Sequence, residues 1–103
     1  MEVKNIDAET AKEWVKKNRN GILIVDVRTP QEHFSGRIPG SKLIPLDELP
    51  RRITELNRDT PVLVYCRSGA RSLVASRFLL QNGFKHVYNL KGGIISCPDE
   101  CIE

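Results

Sequence analysis

The sequence predicts an α/β domain organised on a parallel sheet, and three observations carry that prediction. Two runs, ILIVDV at 22–27 and VLVY at 62–65, are apolar almost without a break and rich in β-branched residues, the pattern of strands covered on both faces. Segments with helical spacing separate the strand-like runs, as the connections of a parallel sheet require. Asn20-Gly21, Gly83 and the stretch SGRIPG at 35–40 punctuate the boundaries with turn-forming residues. At 103 residues, 40% of them hydrophobic, the chain has the size of one domain with a single core.

Taken in order, residues 3–6 read as a short first strand. Asp7 is placed to cap a helix in which Ala8, Ala11, Trp14, Val15 and Asn18 share one face, at the i, i+3, i+4, i+7 spacing. Asp7 and Glu9 at its start and Lys16, Lys17 and Arg19 at its end suit the helix dipole. Trp14 lies on the apolar side and is expected to pack. The strand 22–27 follows, interrupted by Asp26, whose expected role is to bond backbone N–H groups and fix the next loop. Thr29-Pro30 opens a short helix across which Arg28 and Glu32 stand four apart, the spacing of a scaffold ion pair. After the 35–40 turn, residues 43–46 read as a third strand, and Asp47 as the cap of a helix through Leu49, Ile53 and Leu56. Residues 57–61 turn into the strand 62–65, a helix over 73–82 stops at Gly83, and 87–90 is a fifth strand. Gly92-Gly93 behind it would let another stretch of backbone approach closely.

The chemistry is concentrated in PVLVYCRSGARS, 61–72. Cys66 sits where a strand gives way to a tight loop and then a helix, the carboxyl end at which parallel sheets collect ligands. In the loop Arg67, Ser68, Gly69, Ala70, Arg71 and Ser72, small residues let successive N–H groups turn inward as an anion-binding nest. The positive end of the following helix and two arginines add to the same field. Each contribution favours a thiolate over a thiol, so Cys66 is expected to be an activated nucleophile.

CRSGARS after VLVYC resembles the active-site loop of the rhodanese family, sulfurtransferases that carry sulfur as a cysteine persulfide. DVR at 26–28, E-x-x-x-G-x-I-P-G at 32–40 and LKGG at 90–93 stand in the family's order, and the likeness spans 21–95. It implies a three-layer rhodanese-like fold: a parallel sheet of about five strands with helices on both faces. The chain 1–103 would be a single such domain, with a short or truncated C-terminal segment at 94–103. A donor such as thiosulfate or a persulfide would load Cys66, and a thiol or cyanide would unload it; a protein persulfide is a further candidate partner. Arg67 and Arg71 would steer anionic donors, with Asp26, Arg28, Glu32 and Arg37 in support. Arg37 stands where the family commonly has histidine. No metal or organic cofactor is needed. Two other readings stay open: a rhodanese-like binding or regulatory module without turnover, and a phosphatase or arsenate reductase using the same cysteine loop. Against the first stands the intact Cys66, which inactive relatives typically lose. Against the second stand the four residues between Cys66 and Arg71, where cysteine phosphatases place five.

Composition narrows the remaining classes. The net charge of +3 is spread along the chain, with no basic run that argues for nucleic acid or a membrane surface. MEVKNIDAET has no apolar core for a secretory signal, and no stretch approaches membrane-spanning length. Three cysteines are an odd number and too few for a disulfide scaffold, which points to a reducing cytoplasm. His33 and His86 have no partner by spacing and read as surface or turn residues; no cluster has metal-ligand spacing. Cys97 and Cys101 stand about where the family continues with a helix. In an irregular tail these secondary thiols would be able to pair, bind metal weakly or accept sulfur from Cys66.

Overall fold

The computed structural model describes residues 2–17, 21–97 and 102. Its centre is β4 (Val62–Tyr65), a strand with every residue buried. Side chains alternate across a strand, and here both sides are covered. Val62, Val64 and Cys66 pack on one face with Leu49, Ile53, Ala75 and Leu79. Leu63 and Tyr65 pack on the other with Ala11, Ile38, Leu90 and Ile94. The unbroken apolar run in the sequence is the direct consequence.

Around β4 lie β1 (Lys4–Ile6), β2 (Leu23–Asp26), β3 (Lys42–Leu43) and β5 (Val87–Leu90). The strand order is β1-β5-β4-β2-β3, and every neighbouring pair is parallel. Helices α3 (Leu49–Arg52) and α4 (Ala70–Gln81) cover one face. Helix α1 (Ala8–Lys16) covers the other, and α2 (Pro30–Ser35) follows the end of β2. The three-layer α/β architecture expected from the sequence is therefore the one observed. The Asp7 side chain accepts the Thr10 N–H at 2.8 Å as the cap of α1. Trp14 meets the Tyr88 ring edge-on at 5.1 Å, a packing role. The end of the first helix predicted through Asn18 and Arg19 to Asn20 lies outside the described residues.

Several elements differ from expectation, each for a physical reason. β3 stops at Leu43 instead of reaching 46. Ile44 still donates to the Asp26 carbonyl at 2.9 Å, but Pro45 has no N–H to continue the ladder. The helix expected from Asp47 to Leu56 is divided into a 3₁₀ turn (Leu46–Glu48), α3 and a second 3₁₀ turn (Ile53–Glu55). Pro50 removes the N–H that a continuous helix would aim back at Leu46, and Asp47 makes no capping bond. α4 begins at Ala70 rather than 73, because Gly69, at φ +104°, turns the cysteine loop directly into the first helical turn.

Candidate functional site

Cys66 follows the last residue of β4 and is 1% exposed. The chain beyond it folds back over the sulfur. The Gly69 N–H donates to Cys66 Sγ at 3.0 Å and the Ser72 N–H at 3.4 Å, while the thiol donates to Ser72 Oγ at 3.4 Å. Burial works to raise the Cys66 pKa, since it penalises the anion. Bonds from the Ser72 hydroxyl and from the backbone N–H groups of Ser72, Gly69 and Ser68 outweigh it, and the thiol is held below its ordinary value. The Gly69 and Ser72 N–H groups of the loop are thus aimed at the sulfur.

A second backbone segment holds the nest in shape. After β5 the chain makes a 3₁₀ turn (Ile94–Ser96). The Ile94 N–H donates to the Cys66 carbonyl at 2.9 Å, and the Ile95 N–H donates to the Arg67 carbonyl at 3.2 Å. Gly93 sits so close that a Cβ there would run into the Arg67 carbonyl group and stand 2.5 Å from the Ser68 nitrogen. The close approach expected of Gly92-Gly93 therefore falls on the cysteine loop itself. Below the sulfur, the Ser72 hydroxyl donates to Asn89 Oδ1 at 2.5 Å, and Asn89 Nδ2 donates to Asn5 Oδ1 at 3.0 Å.

The two loop arginines are not equivalent. Arg71 grips Glu32 through two bonds, 2.8 and 2.9 Å long. The Arg71 guanidinium, opposed by burial, holds the Glu32 carboxyl at about 2. Arg67 is exposed, and no described residue bonds its guanidinium. Of the two arginines expected to steer an anion, Arg71 is thus paired with Glu32, while Arg67 stands exposed at the loop surface. The expected Arg28–Glu32 pair is absent. Arg28 turns instead to Asp26, with contacts of 2.9, 3.1 and 2.7 Å, and donates to the Gly36 carbonyl at 2.7 Å. Arg28 precedes the Thr29 cap of α2, so it lies outside the helix whose i, i+4 spacing suggested the pair.

Asp26 is the hub of this support. Fully buried, it binds Arg28 and also lies 2.9 Å from His33 Nδ1. Burial works to raise its pKa, but the Arg28 and His33 bonds prevail and keep it below the ordinary carboxylate value. Its structural role was legible; the burial of His33 was not. His33 is 8% exposed, contrary to the surface position expected, because α2 lays it against Asp26. Tyr65, beneath the Arg28 guanidinium at 5.4 Å, accepts the Ile38 N–H at 3.2 Å and meets Ser41 Oγ at 2.9 Å. Arg37 donates to the His33 carbonyl at 3.4 Å.

A cavity of about 460 Å³ opens beside the loop, with Arg67, Ile94 and Ile95 on one side and Glu32 and Gly36 on the other. Ser68 and Ala70 are exposed at the loop surface. Cys97 is buried at the end of the Ile94–Ser96 turn, and Cys101 lies outside the described residues. Among the described residues, no three His, Cys, Asp or Glu side chains converge as a metal ion would need. No helix there is long and apolar enough to cross a membrane. Asn89 and Asn5 escaped the sequence reading; the signal was a lone amide inside the otherwise apolar VYNL strand.

A five-stranded parallel sheet with a buried cysteine, cradled by N–H groups at the carboxyl end of its central strand, defines the class. The Rhodanese-like domain family matches residues 7–96, and the chain belongs to that family. It is 42% identical to a protein of Allochromatium vinosum named sulfurtransferase, covering 91% of this chain and 87% of that one. It is 37% identical to a protein of Ectopseudomonas mendocina named thiosulfate sulfurtransferase GlpE, over 89% of this chain and 82% of the relative. Among solved structures, a rhodanese-like domain protein from Staphylococcus aureus superposes with a TM-score of 0.87 at 34% identity, over 98% of this chain and 97% of that one. The protein SSP1007 of Staphylococcus saprophyticus superposes with a TM-score of 0.86 at 33% identity, over 98% and 99%.

Proposed function

We propose that this protein is a sulfurtransferase of a reducing cytoplasm, a single domain that carries a sulfane sulfur as a persulfide on Cys66. The observation that carries the reading is the Cys66 sulfur, buried at the strand end yet met by the Gly69 and Ser72 N–H groups and the Ser72 hydroxyl. Such a cradle stabilises a thiolate and, one atom further out, the anionic end of a persulfide. In the first half-reaction the thiolate attacks the outer sulfur of thiosulfate. The S–S bond of the donor breaks, and sulfite leaves with the electron pair. In the second, cyanide or a thiolate attacks the terminal sulfur of the persulfide, the bond to Cys66 breaks, and the Cys66 thiolate is restored. Protons are exchanged only with water and the attacking thiol.

Arg67 fits the role of anion guide, and the relative named thiosulfate sulfurtransferase supports thiosulfate as donor. A phosphatase reading is disfavoured by Arg71, since a guanidinium committed to Glu32 by two bonds is not free to clamp a phosphoryl group. The test is thiocyanate formation from thiosulfate and cyanide, measured beside aryl phosphate hydrolysis. The reading expects the first activity, lost on Cys66→Ser, and negligible hydrolysis. Hydrolysis that is robust and lost on Cys66→Ser would overturn it.

A further inference from the structure

The Ser72 hydroxyl has one proton and three acceptors around it: Cys66 sulfur at 3.4 Å, the Gly69 carbonyl at 3.2 Å and Asn89 Oδ1 at 2.5 Å. The shortest of these contacts joins two oxygens, so the proton must lie between Ser72 and Asn89. Ser72 then has only a lone pair to offer the sulfur, which suits a thiol that donates its own S–H. A thiolate or a persulfide anion reverses the demand. The hydroxyl must now point its proton at sulfur, and its oxygen is left facing Asn89 Oδ1 with no proton between them. Asparagine resolves the conflict in a way few residues can, because its amide presents an acceptor at one end and a donor at the other. Turned over, Asn89 donates Nδ2–H to Ser72 Oγ, and its Oδ1 faces the exposed Asn5, whose own amide is free to turn and donate.

We propose that Asn89 is a positioning residue for sulfur transfer: with Asn5 it forms an amide relay that turns the Ser72 hydroxyl toward or away from the sulfur as Cys66 changes state. The inference rests on Cys66 being the sulfur carrier. Charges near the sulfur come from Arg67 and Arg71 of the loop, the Glu32 on α2 that holds Arg71, and the Asp26–Arg28 pair beyond β2. The relay enters from β5 and β1 and is uncharged, so it is able to change which way a proton points without changing the net charge around the sulfur.

The relay is tested by making its members unable to turn. A carboxylate only accepts, so Asn89→Asp holds the Ser72 proton away from sulfur. Asn5→Asp holds Asn89 Nδ2 and keeps Oδ1 facing Ser72. The readout is the pH midpoint of iodoacetamide alkylation of Cys66, taken on the full chain. N89D should raise the midpoint by about one pH unit, a tenfold loss of thiolate at a given pH. N5D should raise it in the same direction by less. In a Ser72→Ala background both shifts should shrink to the through-space effect of the new charge. Asn5 is exposed on an edge strand, so N5D keeps the test alive if N89D fails to fold. Unchanged midpoints in both variants, or shifts undiminished by Ser72→Ala, would overturn the relay. Loading of wild-type Cys66 from thiosulfate, followed separately by mass, distinguishes that failure from failure of the carrier role.

Discussion

Gly93→Ala isolates the contact that shapes the sulfur cradle. Gly93 has φ 67° and ψ −171°, a region essentially reserved for glycine, where another residue costs on the order of 1–3 kcal/mol. The added Cβ would also collide with the Arg67 carbonyl group and the Ser68 nitrogen. These are backbone atoms that cannot rotate away, so the loop itself must shift. Gly40 supplies the control: its φ is +78°, with nothing within 4 Å of the added Cβ, so Gly40→Ala carries only the conformational penalty of about 1–2 kcal/mol. With overpacking costing roughly 1–3 kcal/mol more, G93A should lose about 3 kcal/mol or more. In a domain this size each kcal/mol lowers the melting temperature by about 4–8 °C, so G93A should melt well below G40A. A displacement of about 1 Å at a reacting centre costs on the order of 10²-fold in rate, so sulfur transfer should fall by about that factor in G93A and stay near wild type in G40A. Urea unfolding and thiosulfate turnover below the transition read both quantities. Equal stability of the two variants with wild-type turnover in G93A would show that the Gly93 contact does not shape the loop.

The charge arrangement sets four further outcomes. Arg67→Ala should weaken turnover with thiosulfate while stability stays within about 0.5 kcal/mol, as for an exposed site; Arg71→Ala should instead lose about 1 kcal/mol by unfolding, since it strands Glu32. Glu32, with its folded pKa lowered to about 2 from 4.5, contributes stability that is present above 4.5 and is lost as pH falls toward 2. Arg71 is 36% exposed, so solvent screening reduces that contribution to about 1 kcal/mol or less, and wild type and Glu32→Gln should converge as acid unfolding is followed down through this window. Asp26→Ala should cost about 3–5 kcal/mol by urea unfolding, because it leaves a buried guanidinium uncompensated; a loss under 1 kcal/mol would contradict the hub role.

What the sequence revealed and what it withheld divide along one physical line. Strand β4, the cysteine turn, the Asp7 cap and the close approach at Gly93 are set by local rules: apolar runs, backbone conformations and capping oxygens. These were readable. The partners of Arg28, Arg71 and His33 depend on how α2 is laid across the end of the sheet, and spacing along the chain carries no record of that. The Arg28–Glu32 expectation failed because a helical spacing rule was extended one residue before the cap. Pro45 and Pro50 explain why the third strand and the following helix are shorter than periodicity suggested, and both prolines were visible. Asn89 and Asn5 are 84 positions apart, and only the β1–β5 pairing brings their amides together.

The most direct measurement of the central claim is the intact mass of the full chain after incubation with thiosulfate and removal of excess donor. One added sulfur atom is expected, carried by Cys66, discharged by cyanide and absent in Cys66→Ala. A wild-type protein that gains no mass, or a Cys66→Ala variant that gains as much as wild type, would contradict it.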